Sequence, residues 1–169
     1  MEIKIRKGTV QDTEALLQFL QTVRNGMPHP EWFYLDPEED VREYMTSGTM
    51  QLWLAMDGET IAAIFDTLTP GSAAWNYGYD LGLSDQELQQ VVHLDNAAVS
   101  PGYRGLGLQS KMIQTAEAAF SGKGKKILLC TVHPDNIYSL NNVLKRGYTI
   151  EKRLAKYGTE RYILRKDIF

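Results

Sequence analysis

The feature of the sequence that most constrains its fold is a glycine-rich turn between an apolar run and an amphipathic helical stretch. The apolar run extends from Val91 to Val99, and after Pro101 the chain reads Gly102-Tyr103-Arg104-Gly105-Leu106-Gly107. Apolar residues then recur at helical spacing and form one face: Leu108, Met112, Ile113, Ala116 and Phe120. A buried strand that passes through a tight turn into a long helix is typical of an α/β protein.

This turn predicts an anion cradle. The first N–H groups of a helix lack intrahelical partners, and the helix dipole favours negative charge at the same end. Glycine lets the backbone approach a ligand closely, and Arg104 adds a permanent charge with a forked set of donors. The sequence therefore predicts binding of a phosphate or pyrophosphate. The alternative is a turn whose glycines serve only the bend.

The rest of the chain predicts the same fold class. Periodicity and turn residues give the order β-α-α-β-β-β-α-β-α-β-β, with a short helix over 85–90. Strands are predicted at 3–6, 52–56, 60–66, 91–99, 127–132, 148–153 and 161–165. We expect an α/β (α+β) fold whose mixed, mostly antiparallel central sheet of six to seven strands carries about four helices on both faces.

Composition narrows the class of protein. The 169 residues, with 43% hydrophobic and 23% charged side chains, predict one globular domain over 1–169. Eighteen basic and twenty-one acidic residues give a net charge of −3, which argues against nucleic-acid or anionic-membrane partners. Cys130 is the only cysteine, and the histidines lack a third ligand at useful spacing, so no metal site is expected. The residues 1–7 lack a signal-peptide core, so a cytoplasmic location is expected.

Two familiar phosphate cradles do not fit the turn. A P-loop needs Lys followed by Ser or Thr after its last glycine, and Leu108-Gln109 stands there instead. A dinucleotide fingerprint would continue to a third glycine, but Ser110 follows Gly105 and Gly107 at that spacing.

Two motifs carry a resemblance to the GNAT N-acetyltransferase superfamily. The first is Arg104-Gly105-Leu106-Gly107-Leu108-Gln109 after Val99-Ser100-Pro101-Gly102-Tyr103, with Gln109 in place of the usual final small residue. The second is Asn136-Ile137-Tyr138-Ser139-Leu140 with Leu144-Lys145-Arg146-Gly147-Tyr148. The resemblance covers about 91–148.

The resemblance implies an enzyme that binds acetyl-CoA and transfers the acetyl group directly to an amine in a ternary complex. It implies that the turn from Arg104 to Gln109 holds the pyrophosphate and that Ala97-Ala98-Val99 pairs with the pantetheine arm. A backbone N–H near Ala97 would face the thioester oxygen. Asn136, with Ser139 beside it, would contact the cofactor arm.

The acid–base groups are less determined. His93 and Asp95 lie two residues apart on one face of a strand, and either could take part in removing the amine proton. The alternative is an ordinary strand histidine beside a bend or edge aspartate. The family's usual acid, a tyrosine seven residues after the motif asparagine, is replaced by Val143. Ser139 lies one turn away on the same face, whereas Tyr138 is rotated by roughly 140° from it.

The acceptor is an open question. Two aromatic loops, around Trp32-Phe33-Tyr34 and around Trp75-Tyr77-Tyr79, either hold a cationic small-molecule or peptide amine or anchor long loops onto the core. An acyl-CoA-binding module without turnover and a nucleotide- or phosphosugar-binding enzyme are the alternative functions. A homodimer formed through the sheet edge after Tyr148 is also left open.

Overall fold

The chain forms a seven-stranded mixed sheet with helices on both faces, as predicted from the sequence. The computed structural model describes residues 1–169. The strands are β1 (Ile3–Lys7), β2 (Met50–Asp57), β3 (Thr60–Leu68), β4 (Val91–Val99), β5 (Ile127–Val132), β6 (Thr149–Lys156) and β7 (Thr159–Asp167). The helices are α1 (Thr13–Asn25), α2 (Glu38–Ser47), α3 (Asp85–Leu88), α4 (Leu108–Phe120) and α5 (Ile137–Lys145). The strand order is β1-β2-β3-β4-β5-β7-β6, and only β4 and β5 run parallel.

The two faces of the sheet are covered by different parts of the chain. On one face, α4 and α5 bury apolar side chains against alternate residues of the central strands, such as Val92 and Leu128. On the other face, α1 and α2 pack over β2 and β3, and the segment around Tyr77 covers Val91 and Leu129. This alternation of side chains along each strand gives every central strand two buried faces.

Two hairpins join antiparallel neighbours in the sheet, and the first follows from local turn chemistry. Asp57-Gly58 joins β2 to β3, with Gly58 at a φ of 59°, as the Asp-Gly pair predicts. The last hairpin is longer than predicted, because β6 and β7 pair up to Lys156 and Thr159 around a turn of only two residues. Strand β6 lies at the sheet edge and is mostly exposed. Homodimer formation through this edge stays a prediction.

The central strands β4 and β5 diverge, and this divergence creates the site. Their pairing stops at His93 and Leu129, whereas β4 continues to pair with β3 as far as Val99. A β-bulge at 95–96 accompanies the separation, since three steps along β4 oppose two steps along β3. One backbone edge of β4 is therefore left without a strand partner beyond His93.

No helix combines the length with the apolar composition that a membrane crossing requires. No group of three or more His, Cys, Asp or Glu side chains is arranged to hold a metal ion.

Candidate active site

A cleft of about 440 Å³ opens where β4 and β5 separate. The predicted site residues that line it are Asp95, Ala97, Ala98, Val99, Arg104, Gly105, Gly107, Leu108, Gln109, Asn136 and Ser139. Two predicted residues lie outside the lining: His93, which is buried beneath the surface, and Leu106, which is more than half exposed. The structure therefore brings the two sequence motifs and the end of β4 into one cavity.

The glycine turn leaves the N-terminus of α4 open to the cleft. Gly107 is the N-cap residue at a φ of 70°, and no side chain caps the helix. Gly105 is also left-handed, with a φ of 81°. A Cβ at either glycine would meet no atom within 4 Å, so backbone conformation rather than crowding requires glycine here. The first N–H groups of α4 are thus available to an anion.

The end of β4 presents backbone groups to the same cleft. The Ser100 N–H donates to the Ala62 carbonyl oxygen at 2.9 Å, so these two residues form a hydrogen-bonded pair. Bonded and non-bonded pairs alternate along an antiparallel ladder. Ala97, opposite Phe65, and Val99, opposite Ala63, therefore turn their N–H and C=O groups away from β3 and toward the cleft.

The second motif forms the opposite wall. The side-chain Oδ1 of Asn136 caps α5 by accepting a hydrogen bond from the Ser139 N–H at 3.3 Å, which leaves the side-chain NH₂ group for a ligand. Val143 is buried and lines the cleft, with Ser139 one turn before it. Tyr138 also borders the cleft despite being 68% exposed.

His93 is part of the core. Its Nε2 accepts a hydrogen bond from the Tyr77 N–H at 3.1 Å, and its ring stacks on that of Tyr77 at 3.8 Å between centroids. Burial lowers the pKa of His93 to about 3. A buried, neutral imidazole whose acceptor nitrogen is already bonded is not placed to take a proton in the cleft. The geometry thus favours the ordinary strand histidine over the base.

Asp95 lines the cleft and is coupled to Asp66. The Asn96 Nδ2 donates to a carboxylate oxygen of each aspartate, at 3.0 Å in both cases. Burial raises the pKa of Asp66 to about 6, and burial together with Asp66 raises the pKa of Asp95 well above its usual range. Two buried carboxylates that share one amide donor cannot both ionise cheaply, so they titrate as a coupled pair. Asp66 was not linked to Asp95 by the sequence, because their approach depends on the bulge.

An aromatic wall closes the side of the cleft near the β6–β7 turn. Tyr157 occupies that turn at a φ of 58°, and it is the only non-glycine residue with a positive φ. Such a conformation costs about 1–2 kcal/mol for an L-residue. The Tyr157 hydroxyl bonds to that of Tyr77 at 2.6 Å, and its ring stacks on Tyr34 at 3.9 Å.

The aromatic side chains of the two loops divide between the cleft and the exposed surface. The side chains of Trp32, Phe33, Tyr34 and Tyr77 line the cavity, whereas Trp75 and Tyr79 do not. Tyr157 was missed by the sequence analysis. The available signal was a Tyr-Gly pair at a hairpin turn where Asn-Gly or Asp-Gly is expected.

The buried state of His93 predicts an acid-sensitive fold. Between pH 6.5 and 3 the unfolded chain binds a proton at His93 that the folded chain does not, so stability is full above pH 6.5 and is lost as the pH falls. We expect His93→Gln, whose amide oxygen can still accept from the Tyr77 N–H, to reduce the loss of unfolding free energy between pH 7.5 and 5 by about 2 kcal/mol. Urea unfolding at both pH values measures this. The exposed His29→Gln is the control, and an unchanged loss in His93→Gln would contradict the prediction.

Comparison with protein families gives a match over most of the chain. Residues 25–148 match the model described as the Acetyltransferase (GNAT) family. No curated protein matches the chain in sequence.

Solved structures share the fold at low sequence identity. The GNAT-family acetyltransferase of Streptococcus pneumoniae has a TM-score of 0.75 and 19% identity, with 99% of this chain and 100% of that chain covered. An N-acetyltransferase of Staphylococcus aureus Mu50 has a TM-score of 0.74 and 12% identity, with 99% of each chain covered. Arabidopsis thaliana NAA60 in complex with acetyl-CoA has a TM-score of 0.74 and 18% identity, with 99% of each chain covered.

Proposed function

Because the chain belongs to the GNAT acetyltransferase family, we propose that it binds acetyl-CoA in the cleft and transfers the acetyl group directly to an amine in a ternary complex. The observation that carries the proposal is that an uncapped helix N-terminus and an unpaired strand edge open into the same cavity. Acetyl-CoA supplies an activated thioester: the amine nitrogen forms a bond to the acetyl carbon, and the C–S bond breaks.

The residues of the cleft fit the two ends of such a molecule. The N–H groups at the start of α4 and the Arg104 guanidinium suit a pyrophosphate, since helix N-terminal donors and a permanent forked cation both favour anions. The outward N–H and C=O groups of Ala97 and Val99 suit the amides of an extended pantetheine arm, which pair as an added strand would. The free NH₂ group of Asn136 adds a donor on the facing wall.

The Ala97 N–H has a second role in this proposal. It points into the cleft at the level where the strands diverge. A fixed N–H donor at this point stabilises negative charge that develops on the thioester oxygen during attack.

Asp95 is the proposed base. An alkylammonium with a pKa near 10.4 must lose a proton before its nitrogen can attack. A carboxylate whose pKa is raised above its usual range is a stronger base for that proton, taken directly or through a water, than one that ionises near pH 4. Burial raises the pKa of Asp95 most, and the neighbouring negative charge of Asp66 raises it further. The proton goes from the acceptor nitrogen to the Asp95 carboxylate.

The departing thiolate has no tyrosine at position 143. A thiol with a pKa near 8.5 leaves as a thiolate without an acid. The second proton released by the nitrogen balances the reaction when it reaches the sulfur, through the Ser139 hydroxyl or through solvent. The products are the N-acetylated amine and CoA with a free thiol.

The experiment that tests the proposal is calorimetric titration of the purified protein with acetyl-CoA, with ATP and NAD as controls. We expect selective, saturable binding of acetyl-CoA, followed by thiol release when amines are added. Failure of a folded protein to bind acetyl-CoA would remove the proposal, and competition by ATP or NAD without a response to CoA would indicate a nucleotide-binding enzyme.

A second candidate is an acyl-CoA-binding module without turnover. The observation that favours it is that Val143, buried and apolar, occupies the acid position in the cleft. Tight acetyl-CoA binding with no thiol release across a broad amine panel would select this function.

A further inference from the structure

Arg161 is a buried cation without a counter-ion. The residue is 4% exposed, yet no carboxylate lies within ion-pair distance of its guanidinium. Its one hydrogen bond runs from Nη2 to the Trp32 carbonyl oxygen at 2.8 Å, and its Nε is buried with no partner. Arg146 also has an unbonded Nε, but Glu117 lies 3.4 Å from its Nη2. Burying an unpaired guanidinium is costly, so its retention calls for an anion from outside the chain.

The position of Arg161 separates it from the anion cradle at α4. The residue lies near the start of β7 and lines the cleft. Its contacts are with Trp32, in the segment between α1 and α2, and with the ring of Tyr157, whose centroid is 5.6 Å from Cζ. Neither contact belongs to the turn from Arg104 to Gln109. The anion expected at Arg161 is therefore a group on the acceptor rather than the pyrophosphate.

The shape of the Arg161 guanidinium indicates which kind of anion it would bind. A planar guanidinium matches a carboxylate with two parallel hydrogen bonds, and loss of water strengthens those bonds. Asp95 lines the same cleft and supplies a carboxyl group for the amine. Tyr157, whose ring lies against the Arg161 guanidinium, also lines this cleft, so the carboxyl group and the guanidinium face one cavity.

We propose that the acceptor is an amino acid, held by a carboxylate on Arg161 with its amine directed at Asp95. This inference rests on the proposed function, and it names the substrate class of the same site. The neighbouring aromatic side chains of Trp32, Tyr34 and Tyr157 supply apolar surface for the rest of the acceptor.

The strained turn at Tyr157 supports this assignment. A tyrosine with a φ of 58° is held there by the hydroxyl bond to Tyr77 and by the stack on Tyr34. Local strain of this kind persists where the surroundings fix it, often at ligand sites. Here it keeps an aromatic ring over the guanidinium, where cation–π attraction and exclusion of water both hold the charge in place.

The test compares α-, β- and γ-amino acids with the matched amines that lack only the carboxylate. The purified protein is saturated with acetyl-CoA, and thiol release gives kcat/KM for each pair. We expect kcat/KM for at least one amino acid to exceed kcat/KM for its matched amine by about 100-fold. A site built to hydrogen-bond a polar group rejects the analogue that lacks the group. Equal kcat/KM values within every pair would overturn the inference.

Variants of Arg161 separate carboxylate binding from a structural role. In Arg161→Gln the ratio of amino acid to amine should fall toward one, mainly through a higher KM for the amino acid. Arg161→Lys should restore part of the ratio, and it also serves if the glutamine variant does not fold. The control Arg153→Gln removes an exposed guanidinium on β6, outside the cleft, and should keep the wild-type ratio. A ratio unchanged in a folded Arg161→Gln would show that Arg161 only fastens the Trp32 loop.

A binding measurement distinguishes failure of this inference from failure of the proposed function. Calorimetry of the CoA-loaded protein with the N-acetylated amino acid should show binding that Arg161→Gln weakens by at least about tenfold. If acetyl-CoA and CoA do not bind, the proposed function fails, and Arg161-dependent thermal stabilisation of the unloaded protein by amino acids still decides the inference. If acetyl-CoA binds but no amino acid responds to Arg161, only the inference fails.

Discussion

Replacing Gly107 with valine should abolish the binding of acetyl-CoA while leaving the protein folded. A Cβ at this position points into open space, since no atom lies within 4 Å of it. In the proposed complex that space belongs to the pyrophosphate, so a branched side chain separates the anion from the first N–H groups of α4. We expect the Kd for acetyl-CoA to rise by at least about 100-fold, equivalent to about 2.7 kcal/mol, measured by calorimetry.

The control for this variant is Gly122→Val. Gly122 has a φ of 73°, close to the 70° of Gly107, and its Cβ position is equally open. It lies between α4 and β5, outside the cleft. Both variants therefore carry a similar backbone strain of about 1–2 kcal/mol. A matching decrease in Tm with loss of affinity only in Gly107→Val is the expected result, and equal affinity in both variants would mean that the turn does not hold the ligand.

The parts of the fold that the sequence predicted are those fixed by neighbouring residues. The cradle was predictable because its glycines, its preceding strand and its following helix are contiguous. The same holds for the Asp57-Gly58 hairpin and for α5, whose asparagine cap and glycine end lie within one short segment. The conformation of these elements is determined by residues that are adjacent in the sequence, and tertiary packing agrees with it.

The parts that escaped prediction depend on contacts between distant segments. The alternating pattern along β4 places His93 on one face of the strand, but it does not show whether that face borders a cleft or the core. The segment around Tyr77 covers that face and buries His93. The pairing of Asp66 with Asp95 requires the bulge in β4, and one inserted step is invisible in an apolar run. In the sequence, Arg161 looks like an ordinary charged strand residue. Its burial depends on the distant segment around Trp32, to which it is hydrogen-bonded in the folded structure.

Replacing Asp95 with asparagine is expected to lower kcat for acetyl transfer by about 100- to 1000-fold, the usual contribution of a positioned base. Asparagine preserves the shape of the side chain and its bonds at the bulge but cannot accept the amine proton. The Kd for acetyl-CoA should stay within about threefold of the wild-type value, since the turn at α4 and the Ala97 edge are untouched. Initial rates of thiol release at saturating acetyl-CoA, together with calorimetry, measure both effects.

The dependence on pH separates a base from a structural carboxylate. In the wild-type protein the rate should rise with pH as the coupled Asp66–Asp95 pair ionises. Asp66→Asn removes a neighbouring negative charge that raises the pKa of Asp95, so the rising limb of kcat/KM should move to lower pH in that variant. Asp95→Asn should remove that limb altogether, whereas Asp85→Asn, at the start of α3 and outside the cleft, should leave it in place. A wild-type profile in Asp95→Asn would assign proton removal to solvent and leave Asp95 as a residue of the bulge.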